Sequence, residues 1–169
     1  IDADPPRLHI VLELLLGIHR QNLPDAGNGE NARFADVTAT KLLASKISFT
    51  FETVMSSTDK VDLLREAKSL GYKNYLYFVA TGDPSINISR VKNRVAGGGH
   101  DVPEDKIVAR YSRSLALLRD AIRHVNRAYF FDTTEEALWY VAEITDGIEI
   151  DLKTAEMPNW FKEHVWDRM

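Results

Sequence analysis

Two kinds of residue in this chain could do chemistry: acids where strands end, and a cluster of arginines around a glycine run. The acids are Asp2 and Asp4, Glu52 followed by Thr53, and Asp132. In open α/β sheets ligands bind beyond the carboxyl ends of the strands, so acids there are candidates for holding a hydroxyl or a hydrated cation. Asp2 and Asp4 stand at i and i+2 and share one face of an extended segment; a solvated strand end with a helix cap is the competing reading. Glu52 alternates with Phe49 and Phe51, which places it on the opposite face from both rings. It suits either a structural role or, with Thr53, a grip on a substrate hydroxyl or hydrated magnesium.

The basic residues carry more information. Residues 89–113 hold six Lys/Arg against three Asp/Glu, within a chain whose net charge is −4. Arg90 and Arg94 lie one helical turn apart and share a face. Arg110 and Arg113 follow on the helix beyond Gly97-Gly98-Gly99. A local reversal of sign built from arginine points to an anion site, because the guanidinium fork matches phosphate; a solvated helix face is the rival. The glycines supply a joint that lets a flap carry arginines onto a phosphoryl group, or form a plain turn. His100 within that loop is either a phosphate contact or an exposed histidine without a role.

The elements that must position these groups follow from periodicity. Ile1 to Asp4, before Pro5 and Pro6, reads as the exit of a strand. Leu8, Val11, Leu12, Leu15 and Leu16 fall at helical spacing, so Leu8 to Ile18 reads as a buried helix. Its roughly eleven residues, with Glu13 among them, are half of what a membrane span needs, and no signal-peptide pattern accompanies them. Residues 22–30 read as loop and 32–44 as helix. Ile47 to Thr53 alternates as a strand. Thr58 opens a helix that stops at Gly71, and Tyr72 to Ala80 is an apolar strand. Asp83-Pro84 caps the next helix. Asp101 and Glu104 have capping-box spacing for a helix over 102–124. Ala128 to Asp132 reads as a strand, Glu135 to Thr145 as a helix, and Ile148 to Leu152 as a short strand. Trp160, Phe161 and Trp166 lie along one side of a final helix and suggest a docking surface.

Strands alternating with helices imply one α/β domain with a parallel sheet wrapped by helices. The apolar share of 44% and charged share of 27% are ordinary for a globular chain. There is no cysteine, which excludes disulfides and fits a cytoplasmic location. The charge gives no reason to expect nucleic acid or membrane as partner. The histidines lack zinc-ligand spacing, so no metal set emerges. Neither G-x-S-x-G nor G-x-x-x-x-G-K-S/T occurs. The start at Ile1 reads as a chain whose natural beginning lies upstream.

The segment Phe49-Thr50-Phe51-Glu52-Thr53-Val54-Met55-Ser56 resembles the F-x-F-E-T element of zeta-toxin family proteins. Gly71-Tyr72 with the strand after it is similar to their G-Y-strand unit. Arg90-Val91-Lys92-Asn93-Arg94-Val95, then Gly98-Gly99-His100-Asp101-Val102-Pro103, then Arg110-Tyr111 resemble the family's lid. Ile1 to Asp4 is similar to its strand ending in an acid, and Asp132-Thr133-Thr134 stands where relatives often carry an Asp-Asn-Ser-like element near the nucleotide.

The resemblance implies a P-loop kinase-like fold over residues 1–169, without its N-terminal phosphate loop and with a helical lid over 84–113. It implies ATP and Mg²⁺ as cofactors, and transfer of the γ-phosphate to a hydroxyl of a UDP-amino sugar such as UDP-N-acetylglucosamine. Asp4 then resembles the base, Glu52 and Thr53 the substrate side, and Arg94 and Arg110 the lid arginines, with Arg90, His100 and Arg113 toward the nucleotide. The alternatives are a non-catalytic nucleotide or nucleotide-sugar binding protein, and an interaction module whose partner is an antitoxin protein.

Overall fold

The computed structural model describes residues 4–13, 38–135 and 137–169. Its centre is a six-stranded sheet made of β1 (Arg7–Glu13), β2 (Phe49–Thr53), β3 (Lys73–Ala80), β4 (Arg127–Asp132), β5 (Trp139–Thr145) and β6 (Glu149–Leu152). The strand order is β2-β1-β3-β4-β5-β6. The first four strands run parallel, and β5 and β6 return antiparallel. The helices are α1 (described over 38–44), α2 (Asp59–Ser69), α3 (Pro84–Ala96), α4 (Glu104–Ile122) and α5 (Asn159–His164), followed by a 3₁₀ turn at Trp166–Arg168. This is a mixed α/β fold with helices packed on its sheet.

Side chains alternate across a strand, and here the alternation separates two surfaces. Leu8 and Ile10 of β1, Leu76 and Phe78 of β3, and Ala128 and Phe130 of β4 are wholly buried. They meet Val61, Leu64 and Ala67 of α2, Leu115, Leu118 and Ala121 of α4, and Trp160 and Phe161 of α5 in one core. The opposite surface carries stacked rings: His9 on Tyr75 at 4.6 Å, Tyr77 on Tyr129 at 4.9 Å and Phe131 on Tyr140 at 5.0 Å. Asn74 sits buried on the core side and donates to the carbonyls of Leu64 and His124, both at 2.8 Å. It thereby ties the middle of α2 and the turn after α4 to β3.

Several expectations are overturned. The segment Arg7–Glu13 is a strand, not the start of a helix, because Leu8 and Ile10 also satisfy period two and the segment finds ladder partners on both sides. Residues 14–18 of that expected helix lie outside the described residues. Asp4 consequently precedes a strand rather than ending one. Likewise 139–145 is β5, not helix. Its aromatic and β-branched residues suit a pleated surface, and Val141 is an extra residue opposite the Phe130/Phe131 step. That bulge explains why Val141 and Ala142 are both buried.

Asp83 caps α3 as expected, accepting the Ser85 amide at 2.7 Å. The capping box does not form. Pro103 holds the N-cap position of α4 with no side-chain cap, and Glu104 instead pairs with Lys92 of α3 at 2.7 Å. Trp160 and Phe161 are core residues, so of the expected docking surface only Trp166 is exposed. No described helix is long and apolar enough to cross a membrane.

Candidate functional site

The connection leaving β1 leads to β2 on one side, and the connection leaving β3 leads to β4 on the other. Where neighbouring parallel strands send their chains in opposite directions, a crevice opens beyond their carboxyl ends. Helix α4 crosses this edge and is fastened on both sides of it. The Tyr111 hydroxyl donates to the Thr81 carbonyl just past β3 at 2.8 Å. Two and three residues on, Arg113 Nε donates to the Ser56 carbonyl at 3.0 Å and the Ser114 hydroxyl to the Val54 carbonyl, both just past β2. Tyr111 is buried, and that burial, reinforced by the Asp83, Asp132 and Glu163 carboxylates, pushes its hydroxyl up to about 12.

The exit of β2 turns sharply. Thr53 Oγ1 accepts the Met55 amide at 3.1 Å, and Met55 adopts a φ of 45° although it is not glycine. A side chain in the left-handed region costs on the order of 1 kcal/mol; the wholly buried Met55 side chain holds it there.

The exit of β4 is densely bonded among the described residues. Asp132 is 6% exposed. Its Oδ1 accepts the Thr134 amide at 2.8 Å and its Oδ2 accepts the Trp160 indole N–H at 2.6 Å. Thr134 Oγ1 in turn accepts the Gly82 amide at 2.7 Å, joining the β4 exit to the β3 exit. Arg90 reaches over from α3 and donates through Nη2 to the Thr133 carbonyl, with the Thr133 hydroxyl at 3.4 Å and the Glu135 carbonyl at 3.5 Å. Its other terminal nitrogen, Nη1, is buried and has no hydrogen-bond partner among the described residues. Burial lowers the Arg90 pKa, and the Asp132 carboxylate partly restores it. Beside these residues lies a cleft of about 320 Å³ walled by Asp132, Thr134, Glu135, Trp139, Met157 and Asn159 among others.

The sequence-selected residues distribute unevenly around this edge. Arg90 stands at the β4 exit, and Arg113 with Thr53 at the β2 exit. Arg110, half-buried, lies one turn before Arg113 on α4. Arg94 and His100 meet in the loop between α3 and α4, where Arg94 Nη2 donates to the His100 carbonyl at 3.0 Å. Gly99 packs tightly there: a Cβ would lie 2.7 Å from Arg94 Cγ, which would have to shift, and 3.0 Å from the Arg94 carbonyl oxygen. Glu52 is exposed on the face away from Phe51. Asp4 is not brought to this group. It precedes β1 at the amino edge and pairs with Arg7 at 3.0 Å, a strand length of about 20 Å from the carboxyl ends. Asp2 lies outside the described residues.

Three contributors escaped the sequence reading: Trp160, Tyr111 as an anchor, and Met55. The apolar pair Trp160-Phe161 behind Pro158 was the available signal for a buried terminal helix.

The architecture is that of an α/β protein with a crevice at the carboxyl edge of its sheet, flanked by an arginine-bearing pair of helices. The zeta toxin family model matches residues 25–143, and the chain belongs to that family. A curated "Uncharacterized protein" of Haemophilus influenzae (strain ATCC 51907 / DSM 11121 / KW20 / Rd) is 29% identical over 92 residues, covering 50% of this chain and 66% of that protein. The match thus spans just under two thirds of that relative's length. No solved structure matches the chain.

Proposed function

We propose that this domain binds a nucleotide or nucleotide sugar at the carboxyl edge of its sheet. The observation that carries the reading is Arg90. Arg90 is half-buried, its Nη1 is buried without an acceptor among the described residues, and Asp132, the carboxylate that acts on it, already has both oxygens engaged by neutral donors; an anion would complete the guanidinium. An unmade hydrogen bond on a buried charged group is costly, so a phosphate oxygen gains from supplying it. The adjoining cleft offers an aromatic wall, Trp139, and a polar rim of the kind that receives a planar ring. Family membership favours a nucleotide over other anions.

Phosphoryl transfer is the second reading, favoured by the family and by Arg94 and Arg110 on the two lid helices, where they would offset charge on a transferring group. The residues fit ATP only in part. The arginines and the cleft suit its anionic and planar ends, while the sequence contains no G-x-x-x-x-G-K-S/T cradle. For Mg²⁺ the fit fails among the described residues, where no group of three His, Cys, Asp or Glu could hold a metal ion. With Asp4 at the opposite edge, Glu52 and Thr53 at the β2 exit are the groups left to meet an acceptor hydroxyl.

Calorimetric titration of the protein with ATP, with UDP-N-acetylglucosamine and with inorganic tripolyphosphate tests the binding reading. Saturable binding of at least one nucleotide, weakened about tenfold or more by Arg90→Ala, is the expected result. Absence of binding by all three would sink it.

A further inference from the structure

We propose that Trp160 is a positioning residue for the carboxyl-edge site, acting through Asp132; this rests on the binding reading above. The family model ends at residue 143, yet α5, at 159–164, places a side chain against the site. Trp160 is 3% exposed and wedged against Phe78 and Phe161, at ring distances of 5.6 and 5.7 Å. Its indole N–H is directed at Asp132 Oδ2 at 2.6 Å. Indole is a donor only, so it can neither rotate to another role nor compete for the Thr134 amide, which holds the other carboxylate oxygen.

A chain of bonds leads outward from that contact. Asp132 fixes the Thr134 amide, Thr134 Oγ1 holds the Gly82 amide, and the Thr133 amide bonds the Ala80 carbonyl at 2.8 Å. The same turn presents the Thr133 carbonyl that receives Arg90. Loss of the indole donor would leave a buried carboxylate with one unfilled oxygen. The carboxylate would then reorient, and the turn carrying both the cleft wall and the Arg90 anchor would loosen. The tail contributes in a second way, because Glu156, Met157, Pro158 and Asn159 line the same cleft. The segment beyond the family-matched span is therefore a working part of the site and not an appendage.

The test is a double-mutant cycle on ATP affinity, measured by calorimetry in the full chain. Trp160→Phe keeps the ring packing and removes the donor; Asp132→Asn removes the charge the donor serves. W160F is expected to weaken ATP binding about tenfold, and the double variant to bind no more weakly than D132N alone. Unchanged affinity in W160F, or losses that multiply independently, overturns the proposal. A second readout stands apart from the ligand: hydrogen exchange of the Thr134 amide should quicken at least tenfold in W160F while the β3 amides keep their protection. If the wild-type protein binds no ATP, the binding reading has failed for that ligand. The exchange result then decides the positioning role alone, with an unaltered Thr134 amide refuting it. Should W160F not fold, the Trp160 indole proton in D132N takes its place, and an unchanged exchange rate there refutes the role equally.

Discussion

Removing the Tyr111 hydroxyl should change how the stability of this protein depends on alkaline pH. Folding holds that phenol at about 12, against about 10 when exposed. A raised folded pKa means the folded state keeps its proton where the unfolded chain releases one. The contribution is therefore complete below about pH 10 and is lost as pH rises from about 10 through about 12. Two pKa units correspond to about 2.7 kcal/mol, of which about 2 kcal/mol is gone by pH 12. Against this, Tyr111→Phe forfeits the hydroxyl's 2.8 Å bond to the Thr81 carbonyl. That residue is buried, so the cost is about 1–2 kcal/mol at neutral pH. Wild type should then exceed Y111F by that amount at pH 8, and by about pH 12 the gap should have closed or reversed by up to about 1 kcal/mol. Urea denaturation at half-unit steps of pH follows both proteins. The other tyrosines pushed upward, Tyr140 among them, titrate in both and cancel in the difference. A gap that stays constant across the range would refute the reasoning.

Other substitutions probe the frame and the loop between α3 and α4. Asn74→Ala strips the Leu64 and His124 carbonyls of their buried donor and should destabilise by about 2–3 kcal/mol, read as a shift in denaturation midpoint at constant slope. Phe130→Ala should cost about 3–5 kcal/mol, since the ring is wholly buried between Phe78 and Phe161; a loss below about 1 kcal/mol would contradict the core as described. Gly99→Ala should leave the midpoint within about 0.5–1 kcal/mol, because the Arg94 side chain can move aside. It should nonetheless break the Arg94 bond to the His100 carbonyl and lower tripolyphosphate affinity measurably; unchanged affinity would remove Arg94 from the anion site.

The legible parts of the fold were those where local pattern and tertiary setting agree. β2, β3 and β4, the Asp83-capped α3 and the helix ending before Gly71 all follow from period, caps and breakers. Gly71 adopts a φ of 85°, the conformation for which glycine marks a helix end. The failures came where two periods fit one segment. Leu8 belongs both to a helical series with Val11 and Leu12 and to an alternating one with Ile10, and sheet pairing on both sides settles the matter. Residues 139–145 carry a bulge that places Val141 and Ala142 in succession on the buried side, which mimics the run of a helix. The sign reversal over 89–113 singled out arginines that part ways in the fold: Arg90 reaches the β4 exit, Arg113 the β2 exit, and Arg94 the His100 carbonyl in the loop between α3 and α4. Asp4 was assigned from its likeness to a strand end, and its distance from that edge depends on which way the following strand runs. The Trp160–Asp132 contact spans 28 residues and leaves no local signature.

The central claim is that the ligand sits at the carboxyl edge, between the β3 and β4 exits and under Arg90. Amide chemical-shift mapping on addition of ATP or UDP-N-acetylglucosamine tests it most directly. The account predicts shifts concentrated at Gly82, Thr133, Thr134 and the Trp139 indole, attenuated in Arg90→Ala, with Arg7 and Lys73 at the amino edge unmoved. Shifts centred on the amino edge, or spread over the stacked His9, Tyr75 and Tyr129 surface, would contradict it.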